Sequence, residues 1–185
     1  GGVSAPPCDS LNLKAQTDDP LAQIAVAENR RRFATTLGAT PVFLDQVHGT
    51  RVVRLGAANV GPDASVERAD ASITTVPGIA CTVLVADCLP VLFATRDGRA
   101  VGAAHAGWRG LAAGVLEATV DAIRAAVPVP AGDIVAWLGA SIGPTAFEVG
   151  ADVLAAFHEH EARHFRPAPA VDGVPKWLAD LPALA

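Results

Sequence analysis

The period of apolar residues changes several times along the chain, and each change marks an expected element. In DDPLAQIAVAENRRRFATTLG (residues 18–38), Leu21, Ile24, Ala25 and Phe33 follow helical spacing, with Glu28 interrupting the stripe. Asp18 or Asp19 can cap this helix, Pro20 suits its first position and Gly38 its end. Shorter β-branched runs follow. TPVFLDQVHG (40–49) and TRVVRLG (50–56) predict two strands around a turn at His48-Gly49, and ADASITTVPG (69–78) predicts a third. A long apolar run (79–98) is broken at Asp87-Cys88-Leu89-Pro90 and pairs through Asp97-Gly98 with RAVGAAHAG (99–107).

From Trp108 to Pro128 the spacing of Leu111, Val115, Leu116, Thr119, Ile123 and Val127 predicts one amphipathic helix, ended by the proline. Residues 133–144 read as a strand entering a Gly-Pro loop, 150–165 as a last helix, 166–175 as a loop and 176–185 as the start of another helix. Mixed strands and helices predict one α/β or α+β domain over residues 1–185. A start at Gly1, the lack of any Met and a stop inside an expected helix suggest trimming at both ends.

Composition narrows the function classes. The chain has 185 residues, enough for a real core, and 51% are apolar, but no long uninterrupted apolar run suits a membrane helix. The start does not read as a secretion signal. The net charge is −5, and the Arg30-Arg31-Arg32 cluster would spread around a helix, so nucleic acid is not an expected partner. Three cysteines, Cys8, Cys81 and Cys88, argue against a disulfide framework and for a reducing, cytoplasmic setting.

Candidate chemistry gathers where expected strands end on polar residues: His48 after QV, Cys88 before Leu-Pro, and His105 before AGWRG. Each has a plain structural reading, as a turn histidine, a buried thiol and a strand end. Together they are a His-Cys-His set of the kind that binds zinc or copper, and three protein ligands leave one position open for chemistry. A metal-free reading uses Cys88 as nucleophile and His105 as base. Gly107 and Gly110 allow close backbone approach beside His105, and the expected helix after them, with Arg109, offers an anion site. HEARH (160–164) matches the spacing of zinc-protease histidines, but its charged setting before FRPAPA reads as surface helix. Trp108 is read as core or as a base-stacking ring, and Cys81 as a buried strand residue.

Several stretches resemble, in order along the whole chain, the YfiH-like family: GGVS, SLNL, DDP with ENR, QVHG, ADASITTVPGIA, VADCLPVLF, AAHAGWRG, IGPTAFEVG and KWLADL. That family was labelled multicopper polyphenol oxidase, or laccase-domain, and has since been described as purine nucleoside phosphorylases. The resemblance implies an α+β fold of mixed sheets flanked by helices, shared with a toxin deamidase of Cys-His type. It implies zinc on His48, Cys88 and His105, with Cys88, His105 and Asp87 as catalytic candidates. Arg109, Gln46, Asn12 and Arg30 are the candidates for binding nucleoside and phosphate. The implied reactions are phosphorolysis of adenosine, inosine, guanosine and methylthioadenosine, and deamination of adenosine. Copper can compete for such a site in vitro, but a copper centre of this kind usually carries an axial Met. Alternatives are a copper-dependent polyphenol oxidase, a metal-free Cys-His hydrolase editing a cell-wall precursor, and a non-enzymatic partner protein. The chain departs from the family pattern at Ala5-Pro6-Pro7-Cys8 and Lys14-Ala15-Gln16-Thr17, which puts substrate preference in question.

Overall fold

The computed structural model describes residues 2–5, 11–14, 19–61 and 63–185. Cys8, Asp18 and the departures at residues 6–8 and 15–17 lie outside them.

The first helix, α1 (Pro20–Leu37), has the expected ends. The Asp19 carboxylate accepts the Leu21 N–H at 3.0 Å, and Gly38 closes the helix in the left-handed region at φ 69°. Its expected apolar stripe does not face the core: Leu21 is 76% and Ile24 67% exposed. The buried positions are Val26 and Asn29. The Asn29 amide accepts the Val3 N–H at 2.8 Å and donates to Ser4 Oγ at 2.9 Å and to the Asn12 carbonyl at 3.0 Å. A polar anchor on the N-terminal segments therefore orients the helix, and the apolar spacing does not.

Among the described residues ten strands follow: β1 (Thr40–Val42), β2 (Val52–Leu55), β3 (Ala71–Thr74), β4 (Ile79–Cys81), β5 (Leu89–Thr95), β6 (Val101–Ala106), β7 (Ile134–Leu138), β8 (Glu148–Val149), β9 (Phe165–Val171) and β10 (Val174–Ala179). They form three sheets: β1-β4, β8-β10-β9 and a five-stranded sheet ordered β2-β3-β6-β5-β7. β2 and β3 are parallel, and the other pairs of the large sheet are antiparallel. The β5–β6 hairpin turns at Asp97-Gly98 as expected, with Leu89 opposite Ala106 and Pro90 opposite His105.

The expected helix from Trp108 is two helices, α2 (Trp108–Ala112) and α3 (Val115–Ala126). Gly114 breaks it by taking a left-handed φ of 91°. α3 buries Val115, Thr119 and Ile123 against the large sheet, and full burial of a side chain such as Ile123 contributes about 1.5–3 kcal/mol. The main core joins Val115 and Ile123 to Ile73, Leu89, Val91 and Phe93, with Val149, Val153, Phe165 and Leu181 from the last third of the chain.

Four other expectations fail for physical reasons. The run at 150–165 holds α4 (Ala151–Ala156) and then a 3₁₀ turn, Glu159–His164, rather than one helix. At three residues per turn, His160 and His164 do not share a face, so HEARH has no protease geometry. The proline-rich 166–175 is not a loop but most of the β9–β10 hairpin, turned by Asp172 (φ 50°) and Gly173 (φ 76°), the pairing favoured for a two-residue turn. Pro167 and Pro169 are tolerated because β9 is an edge strand, and Pro175 sits where the register shifts between Val174 and Lys176. The end of the chain is β10 and a 3₁₀ turn at Pro182–Leu184, not the start of a helix. Finally, β1 and β2 are not a hairpin, since they belong to different sheets. The residues between them wrap around a buried carboxylate.

Among the described residues no helix is long and apolar enough to cross a membrane.

Candidate metal centre

That carboxylate is Asp70, just before β3, 0% exposed. It accepts the backbone N–H groups of Val47 (3.1 Å), His48 (2.8 Å) and Gly49 (2.7 Å). Three convergent N–H bonds to a charge outweigh a two-residue hairpin, and they bend His48 to a φ of 61°. The same carboxylate meets His105 Nδ1 at 2.8 Å, while the Asp70 carbonyl accepts the His105 N–H at 2.7 Å.

His105 sits on β6, 3% exposed. Its ring lies edge-on to that of His48, with centroids 4.7 Å apart. Cys88 closes the loop that enters β5, with Sγ 3.7 Å from His48 Nε2. Gln46 holds this loop in place. Its amide donates to the Leu84 carbonyl at 2.8 Å and accepts the Leu84 N–H at 2.7 Å. The Asp87 carbonyl accepts the Ile142 N–H at 2.9 Å, which ties the loop from the other side.

Ligand atoms of His48, Cys88 and His105 all lie within 4.8 Å of one another. Tetrahedral zinc holds a nitrogen and a sulfur about 3.5 Å apart, so the 3.7 Å between Sγ and Nε2 fits such an ion. With Nδ1 on Asp70, His105 has Nε2 left to ligate. The group could hold a metal ion.

Glycines make the approach possible. A Cβ on Gly107 would lie 2.6 Å from His48 Cδ2 and 3.0 Å from Cys88 Sγ, and one on Gly110 would lie 2.9 Å from the Gly49 carbonyl. The start of α2 therefore packs directly against His48 and Cys88.

The three donors open into a cavity of about 920 Å³. Asn12, Arg30, Gln46 and Asp87 line it, with Leu11, Leu13, Phe43 and Val85 as apolar wall. Arg30 Nε donates to the Leu13 carbonyl at 2.8 Å, and its guanidinium stacks 3.9 Å from the Phe43 ring centre. Asn12 Oδ1 accepts the Lys14 N–H at 3.0 Å. Arg109 is not part of the lining. It is exposed, with its guanidinium 4.2 Å from the centre of the Trp108 ring, and that ring packs partly buried against the core. Cys81 is half-buried on β4, away from the ligand set.

Electrostatics favour a bound cation over a free thiolate. Burial, helped by the charges of Asp87 and Asp70, pushes the Cys88 thiol up from its ordinary value. Burial also pulls His105 down, and the His48 charge adds to this, against the opposing bond to Asp70. Asp70 is held below the ordinary carboxylate value: burial alone would raise it, but the bonds from His105, Gly49, Val47 and His48 prevail.

A pH dependence follows for the metal-free protein. His105 has a folded pKa below its unfolded value, so its contribution to stability is whole above about pH 6.5 and is lost as pH falls toward the folded value. Asp70 contributes above about pH 3.9, and that part is lost as pH falls through its depressed folded value. Urea midpoints of the chelated protein should decline from about pH 6.5 downward, and His105→Gln should remove the upper part of that decline. A flat profile between pH 7 and 5 would contradict this.

Fold and site define an α+β protein with a His-Cys-His centre at the mouth of a cavity. A family model described as multi-copper polyphenol oxidoreductase laccase matches residues 1–185, and the chain belongs to that family. The chain is similar to a purine nucleoside phosphorylase of Pseudomonas aeruginosa, 55% identical over 157 residues, covering 85% of this chain and 60% of that protein. It is 49% identical over 187 residues to purine nucleoside phosphorylase YfiH of Escherichia coli, covering 100% of this chain and 72% of that protein. A crystal structure from Neisseria meningitidis superposes with a TM-score of 0.85 at 43% identity, over 100% of this chain and 72% of the other. YlmD from Geobacillus stearothermophilus gives 0.82 at 28% identity, over 100% and 71%.

Proposed function

We propose that His48, Cys88 and His105 hold a zinc ion and that the adjoining cavity takes a purine nucleoside and phosphate. The protein then acts as a purine nucleoside phosphorylase on adenosine, inosine, guanosine and methylthioadenosine, with adenosine deamination as a second activity. The observation that carries this reading is a convergent donor set opening into a cavity that also presents a half-buried guanidinium. The names of the relatives supply the reaction class.

The cavity is within the size range of small-molecule sites. Phe43, Leu11, Leu13 and Val85 give it an apolar wall for a purine ring. Among the described residues Arg30 has no carboxylate partner, so it replaces Arg109 as the group best placed to hold phosphate. Asp87, exposed at the rim, is the candidate proton carrier. Gln46 acts mainly through Leu84, since both ends of its amide are engaged there. When bound, zinc would supply positive charge next to the reacting atoms and polarise water or substrate. Copper fits less well. The chain has no Met for an axial position, and its other histidines, His158, His160 and His164, lie outside the ligand set. The metal-free hydrolase is disfavoured by the raised Cys88 thiol, which leaves little free thiolate to act as nucleophile.

Zinc-loaded protein incubated with adenosine and phosphate should release adenine and ribose 1-phosphate, and should form inosine. Leaving out phosphate should stop adenine release and spare inosine formation. Failure to consume any of the four nucleosides would overturn the reading.

A further inference from the structure

Both histidine ligands are tied to one carboxylate that has no access to the cavity. Asp70 Oδ1 accepts from the His48 N–H and from His105 Nδ1, each at 2.8 Å. Oδ2 accepts from the Val47 and Gly49 N–H groups at 3.1 and 2.7 Å. An ionised carboxylate only accepts, so the neutral His105 ring carries its proton on Nδ1 and presents a bare Nε2. The bonds to residues 47–49 hold the left-handed turn that aims the His48 ring at Cys88.

We propose that Asp70 is the positioning residue of the centre: it selects the His105 tautomer that can ligate a metal and fixes the turn that brings His48 to the same point. This rests on the metal reading given above.

The chemistry of the four donors makes asparagine a poor replacement. With its oxygen toward His105, the amide NH₂ faces the Val47 and Gly49 N–H groups, donor against donor. With the amide flipped, the NH₂ faces the His48 N–H, and His105 Nδ1 has to accept. That moves the ring proton to Nε2 and removes the ligand. No rotamer of the same side chain satisfies all four groups.

The test is zinc competition against a chromophoric chelator, using folded wild-type protein and Asp70→Asn. The expected result is one zinc per wild-type chain and an affinity 10- to 100-fold weaker in the variant, the usual cost of losing a group that orients a metal-ligating histidine. A role confined to stability would lower the melting temperature and leave zinc affinity unchanged, which overturns the proposal. Long-range ¹H–¹⁵N spectra of metal-free wild-type protein, with the His105 signals assigned by their loss in His105→Gln, decide the matter even if Asp70→Asn does not fold. A proton on Nδ1 supports the proposal, and a proton on Nε2 overturns it. Wild-type protein that takes up no zinc overturns the metal reading and this proposal with it. Tight wild-type binding matched by Asp70→Asn overturns this proposal alone.

Discussion

Cys88→Ala should lose its zinc and about 10³-fold or more of the phosphorolysis rate, while its melting temperature stays close to that of wild-type chelated protein. The loss corresponds to roughly 4 kcal/mol, within the several kcal/mol that a bound cation contributes to charge stabilisation. Stability should change little because the thiol is half-buried at the end of a loop and is absent from the main core. That loop keeps its other anchors in the variant, Gln46 on Leu84 and Ile142 on the Asp87 carbonyl. Chelation of wild-type protein should reproduce the loss, and added zinc should reverse it in wild type only. If activity survives chelation but not the Cys88→Ala change, the thiol acts as a nucleophile and the metal account fails.

The second large effect comes from a residue with no side chain. Gly107→Ala places a methyl 2.6 Å from His48 Cδ2 and 3.0 Å from Cys88 Sγ, closer than a carbon can sit without moving both ligands. The backbone of Gly107 is ordinary, with φ −69°, so the penalty is steric contact and not conformational strain. Overpacking of this kind costs about 1–3 kcal/mol of stability. The ligands must separate to admit the methyl, so zinc affinity should fall by at least the roughly 10- to 100-fold seen when a ligand loses its orientation. Gly132→Ala is the control, since a Cβ there meets nothing within 4 Å. Chelator competition and thermal melts on the two variants check both parts. Wild-type zinc affinity in Gly107→Ala would show that the three ligands do not meet beside this glycine.

These predictions show what the linear chain reveals and what it conceals. His48, Cys88 and His105 stand out in the sequence because each is a polar, metal-capable residue at the edge of an apolar run. The approach of Cys88 to His105 follows from the pairing of β5 with β6, which a readable Asp-Gly turn dictates, whereas His48 reaches them through the turn held on Asp70. Asp70 is hidden for the opposite reason. It lies in a run of small residues, and its partners are backbone groups at 47–49 and a ring 35 positions away. The one available signal was an acidic residue leading into a fully buried strand, where a charge needs partners. The two glycines of AGWRG announced a close approach but not its target.

Of the two arginine candidates only Arg30 lines the cavity, because a short motif says nothing about which way a side chain turns. The turn of α2 directs Arg109 onto Trp108, while the Asn29 anchor rotates α1 so that Arg30 reaches the cavity. Hydrophobic period misled in α1 for the same reason: three hydrogen bonds to Asn29 set the buried face. It misled again after Trp108, where a single glycine conformation divides one period between two helices.

The central claim is that one ion joins these three side chains, and anomalous X-ray scattering at the zinc edge, on crystals grown with zinc, tests it most directly. A single full-occupancy peak within about 2.0–2.3 Å of His48 Nε2, His105 Nε2 and Cys88 Sγ is the expected result. A peak held by other residues, or none at this point in zinc-saturated crystals, would contradict it.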